Sequence, residues 1–190
     1  MMRNNIENIA KLPKWYGVII VLICGILAAE QSTFIYEFIK DSFAEVSSMM
    51  DVVFKFSYVI NILIVFAMWI IGSLMFHITA LLLGGNHELK KFLYVSAYPM
   101  IILIIALSIS ILLTDKITLN CQPEEVEAFL RGNKYFQMSH YVVNVSYVLY
   151  LSVIAIIVHF LYNMKWYYAI LSVFLPIGAI YGIIEIISIL

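Results

Sequence analysis

His87 and Glu88 stand side by side in the stretch "LLLGGNHELKK". A His-Glu pair is the first half of H-E-x-x-H, which sets two imidazoles one helical turn apart to hold zinc, with the glutamate as general base. The position four after His87 is Lys91, so the second ligand is missing. Gly84 and Gly85 just upstream would also loosen the helix that the motif requires. The remaining histidines are His77, His140 and His159. His140 and His159 are separated by about 28 Å if they share one helix, too far for one metal. The sequence contains no G-x-S-x-G, no glycine-rich phosphate loop before a basic helix and no paired carboxylates at one depth. The reading assigns no catalytic residue, no cofactor and no metal.

The elements around these residues are set by composition. Of 190 residues, 64% are hydrophobic and 12% charged, about half the charge of a soluble domain. Several stretches exceed the roughly 18 apolar residues that mark a transmembrane helix. Unpaired backbone groups cost several kcal/mol each in lipid, and the roughly ten-residue alternating segments of a barrel are absent, so helices are the spanning element. A net charge of −1 gives no basic field for nucleic acid. The two cysteines, Cys24 in a span and Cys121 in a polar loop, do not form a disulfide framework.

The pattern predicts an all-α, polytopic membrane helix bundle with five spans, at about 15–29, 52–83, 92–113, 139–162 and 167–190. No small-residue cleavage site follows the first apolar run, "ILAAEQS", so that span is read as uncleaved. A cytoplasmic N-terminus puts Arg3, Lys11, Lys14, Lys90, Lys91 and Lys165 inside. Lys40, Lys55, Lys116, Arg131 and Lys134 then lie outside. That count is nearly even, and the shorter inside loops lean the prediction to N-in, C-out. Residues 32–50 form an outer amphipathic segment with Phe34, Ile35, Phe38, Ile39 and Phe43 on one face and Ser32 or Thr33 as its cap. Residues 114–138 form an outer polar loop with a short helix from Pro123 to Gly132.

Polar residues inside spans are costly and therefore candidates for function. Ser57, Asn61, Trp69, Ser73 and His77 recur at multiples of four in span two. A period of four drifts about 40° per step, so they wind round the helix as a stripe. The stripe suits an interhelical hydrogen-bond seam or, as an alternative, a solute path. Asn144 adds a polar group in span four. In span five, Gly178 and Gly182 make G-x-x-x-G, which lets another helix approach, and Glu185 follows on nearly the same side. Pro99 and Pro176 should kink spans three and five. Gly84 and Gly85 should cap span two in a left-handed turn, with Lys90 and Lys91 at the inner headgroups.

The stretch "WIIGSLMFHITALLLGGNHELKKFLYVSAYPMIILI" resembles the core hairpin of the Yip family of Ypt/Rab-interacting proteins. The residues that carry it are Leu81, Leu82, Leu83, Gly84, Gly85, Phe92, Tyr94, Ala97, Tyr98 and Pro99. "HFLYNMKWYYAILSVFLPI", with Ala169 and Pro176, resembles the family's last turn. The resemblance implies five spans, a cytoplasmic N-terminus and an outside C-terminus. Eukaryotic members carry a long cytoplasmic N-terminal region and work with small GTPases. The short segment before span one argues against a GTPase partner here and resembles the bacterial type. Some such members are associated with ABC-type exporters or antimicrobial-peptide resistance. The expectation is a non-enzymatic protein of a bacterial cytoplasmic membrane. It would act as a scaffold or accessory subunit, meeting lipid and other membrane proteins, or its own copies, through helix faces. The alternative is a small transporter or channel built on the stripe of span two.

Overall fold

The computed structural model describes residues 12–42, 47–118 and 125–189. Every regular element among them is helical. These are α1 (Lys14–Ser42), α2 (Ser47–Leu82), α3 (Leu89–Ser96), α4 (Met100–Thr114), α5 (Val126–Gly132), α6 (Lys134–Leu161) and α7 (Trp166–Ile189). Among the described residues, four segments are long and apolar enough to cross a membrane: Lys14–Phe34, Asp51–Leu82, Leu89–Thr114 and Lys134–Leu161. Trp166–Gly182 is a shorter apolar segment at the start of α7.

The first span differs from the expected layout. α1 continues without a break through Ser42, so Ser32 and Thr33 are interior helical positions and not caps. Their hydroxyls turn back onto the Ala29 and Glu30 carbonyls, at 2.7 and 2.8 Å. No glycine or proline interrupts "LAAEQSTFIYEFIKDS", and Ala, Glu and Gln favour helix strongly enough to carry it past the apolar run. Of the expected amphipathic face, Phe34 packs against Ile117, Val126 and Leu130. Residues 43–46 lie outside the described residues, as do Cys121 and Pro123.

Proline acts differently in its two helices. Span three is broken at 97–99, and Met100 N–H bonds to the Ala97 carbonyl at 3.1 Å. The residue before a proline avoids helical backbone, and Pro99 has no N–H to bond back. α7 runs through Pro176 uninterrupted.

The chain forms two compact units. One takes the residues up to Ile20 together with Met68–Met100 and Val148–Leu190. The other takes Val21–Ala67 and Ile101–Tyr147. In the first, Phe76, Ala80, Phe92, Val95, Ile154, Val158, Tyr162 and Val173 make a core. Gly17 lets α1 approach α3, because a Cβ there would sit 3.2 Å from the Tyr94 carbonyl oxygen and 3.3 Å from Ala97 Cβ. In the second unit Gly25 does the same for α1 against Ile62 of α2, at 3.3 Å. There Ser110 and Ser139 hydroxyls are 2.5 Å apart. Asn133, between α5 and α6, caps α6 by accepting the Tyr135 N–H at 2.9 Å and the Phe136 N–H at 3.3 Å.

Candidate functional site

Four residues of the polar stripe of α2, Asn61, Trp69, Ser73 and His77, meet three partners elsewhere in the chain. In the second unit, Asn61 Nδ2 donates to Ser32 Oγ of α1 at 2.8 Å. In the first unit, Trp69 Nε1 donates to Ser96 Oγ of α3 at 3.2 Å, and Ser73 Oγ lies 2.7 Å from the same oxygen. Ser96 passes its own proton to the Leu93 carbonyl at 2.8 Å. Trp69 and Ser73 are therefore the donors. Both serines are buried, so an unmet hydroxyl there would be costly.

His77, at the last level of the stripe, is buried. Its Nδ1 shares a hydrogen bond with the Tyr162 hydroxyl from the end of α6. The Tyr162 ring stands edge-on to Phe92 at 5.5 Å and to His87 at 5.4 Å. Two imidazoles thus flank one phenol. His87 Nε2 is shielded from solvent and finds no hydrogen-bond partner among the described residues. Burial pushes its pKa below the ordinary histidine value; Lys91 and His77 add to the shift and Glu88 opposes it. Such an arrangement can hold or release a proton and can lock helices together. Among the described residues no three His, Cys, Asp or Glu side chains gather as metal ligands.

Two turns hold this cluster in place. Gly84 adopts φ +90°, and Gly85 N–H reaches back to the Ala80 carbonyl at 2.9 Å. This is a left-handed helix end, which glycine adopts at no steric cost. Asn163, with φ 52°, makes the matching end of α6, and Met164 N–H bonds to the His159 carbonyl at 3.1 Å. Asparagine tolerates that region better than most residues. The two turns touch. A Cβ on Gly85 would fall 2.7 Å from Met164 Sδ, 2.9 Å from the Ala80 oxygen and 3.0 Å from Tyr162 Cδ1. Beside Met164, His159 stacks on Trp166 with ring centroids 3.9 Å apart.

The other predicted residues stand apart from this cluster. Asn144 is exposed on α6 and Glu185 on α7. Around Gly178 and Gly182 no atom of the other described residues lies within 4 Å of a built Cβ, so among the described residues that face of α7 is open. Lys90 and Lys91 are exposed in the first turn of α3. Sequence reading passed over Tyr162 and Ser96, the partners that complete the buried bonds. The local signal for Tyr162 was its place before Asn163, at a helix end; nothing local marked Ser96.

A family model described as the Yip1 domain matches residues 3–187. The chain belongs to the Yip1 family. No curated protein and no solved structure matches it. As a Yip1 protein with several membrane-crossing helices, it is a multi-pass integral membrane protein in contact with the bilayer. In Yip1 terms the hairpin read from Leu81 to Pro99 is the region that carries Gly84, His87 and Ser96. The stripe on α2 is where this Yip1 chain ties that hairpin to its neighbours.

Proposed function

We propose that this chain is a non-enzymatic scaffold or accessory subunit of a membrane assembly, with α7 as a fifth crossing. In this reading the N-terminus and the turn from Gly84 to Glu88 face the cytoplasm of a bacterial cell and the C-terminus faces outside. The carrying observation is how the polar groups of the stripe are used. Four of its five residues, Asn61, Trp69, Ser73 and His77, each bond a helix, or the turn at the end of one, elsewhere in the same chain. The stripe is thereby occupied in holding helices, which favours an adaptor over a solute path. The open Gly178–Gly182 face of α7 supplies a place where a neighbouring helix, from another protein or a second copy, can come close. Assemblies of the ABC-exporter or peptide-resistance kind fit the family resemblance.

The test is photo-crosslinking in native membranes from a reactive residue at Tyr181, which is exposed beside this face. A discrete adduct with one membrane protein, lost in Gly178→Leu with Gly182→Leu, is the expected result. A chain that remains alone overturns the reading, and solute flux in sealed vesicles would replace it with a transporter. Orientation is tested separately by Asn86→Cys in a background lacking Cys24 and Cys121. An impermeant thiol reagent should reach it only in opened membranes.

A further inference from the structure

One end of the first unit gathers exposed lysines from three places in the chain. Lys14 begins α1 and lies over the Tyr94 ring of α3, with Nζ 5.8 Å from the centroid. Lys90 and Lys91 precede Tyr94 by one helical turn, on the neighbouring surface of the same helix. Lys165 sits between Met164 and α7, in the turn that packs against Gly85. Its Nζ stands 6.0 Å from the Tyr167 ring. All four lysines are exposed, and none forms an ion pair with another described residue. The one carboxylate among the described residues of these segments is Glu88. Trp15, Trp166 and Tyr167 flank the lysines with rings about half exposed, at 54%, 48% and 55%.

Exposed Trp and Tyr at the ends of apolar helices mark the headgroup level of a bilayer. Unpaired lysines at that level are drawn to anionic headgroups, and their alkyl stems lie along apolar surface while the ammonium groups reach the polar layer. The occupant is decided by charge: among the described residues here, four cations against one carboxylate are complementary to a phosphate diester and gain little from a zwitterion. We propose that the end of the first unit bearing Lys14, Lys90, Lys91 and Lys165 is a docking surface for the headgroup of an anionic glycerophospholipid. The surface does not depend on the scaffold reading or on which side of the membrane it faces.

The experiment uses the full chain in mild detergent, titrated with phosphatidylglycerol, phosphatidylcholine or inorganic phosphate and read by native mass spectrometry. Phosphatidylglycerol should bind in preference to phosphatidylcholine. Lys90→Gln, Lys91→Gln and Lys165→Gln should each weaken it about fivefold. The corresponding arginine variants should keep binding. Lys116→Gln with Lys134→Gln, in the second unit, should leave it unchanged. Equal binding of the two lipids, or single variants without effect, overturns the proposal. Occupancy by inorganic phosphate equal to that of the lipid overturns the lipid assignment.

Discussion

Ser73 Oγ lies 2.7 Å from Ser96 Oγ, on an oxygen that Trp69 Nε1 also reaches at 3.2 Å. One acceptor therefore serves two donors of α2 and fixes α3 against it. Ser96→Ala removes both bonds and takes its acceptor from the buried Ser73 hydroxyl. Membrane hydrogen bonds average about 0.6 kcal/mol and reach about 1.7, so the loss should be about 1–2 kcal/mol. Thermal unfolding of the purified protein in detergent should show it. Ser108→Ala, whose hydroxyl bonds only its own helix at 2.9 Å, should change little.

The His77–Tyr162 bond is expected to be strongly coupled. Tyr162→Phe leaves a buried imidazole nitrogen unmatched, at a cost of about 1–3 kcal/mol. His77→Leu does the same to the phenol. The double variant should cost less than the sum of the two, because it leaves neither group stranded. A double-mutant cycle on unfolding free energies measures this; strict additivity would show that the bond holds nothing together.

Gly85 should tolerate substitution less well than Gly84. Gly84→Ala meets open space and bears only the left-handed backbone cost of about 1 kcal/mol. Gly85→Ala must displace a sulfur and also presses on the backbone oxygen of Ala80. Met164→Ala should restore only part of the loss, since the Ala80 contact remains. Folded yield in membranes and thermal midpoint together separate the two glycines.

Stability should fall on mild acidification through His87. Its pKa lies below the ordinary 6.5, first because the ring is partly buried and then because of Lys91 and His77, with Glu88 opposing. Tyr162 adds no charge on the face it presents at neutral pH. The unfolded chain then binds a proton more readily than the folded one, so stability rises with pH. The His87 contribution is complete above about 6.5 and is lost as pH falls through the lowered folded value. Thermal midpoints from about pH 7.5 to about pH 5 should decline more steeply in the parent than in His87→Gln. Parallel curves would remove His87 as the cause.

Much of the architecture was legible because its signals are local. Leucines followed by Gly84-Gly85 announce a left-handed helix end, and the structure has φ +90° at Gly84. Pro99 announces the break between α3 and α4 by its missing donor. The apolar spacing over 32–50 does point to a helix, but it does not show that this helix starts as a new element at Ser32 or Thr33 rather than continuing from span one. The apolar span itself runs on to Phe34, and α1 continues without a break to Ser42. The buried bonds were half legible. Spacing put Ser73 and His77 on a stripe, yet Tyr162 is 85 residues from His77, and no periodicity within one helix names a partner that far away.

That separation has a consequence during synthesis. The helix bearing His77 and the Gly84 turn enters the membrane well before Tyr162 has been made. At about 5–20 residues per second, the 85 intervening residues take about 4–17 s to appear. Over that interval the imidazole sits without its phenol, and the notch at Gly85 lacks Met164. The first hairpin must wait as an unfinished pair, open to membrane chaperones or to premature pairing, until the second turn arrives and closes both gaps together.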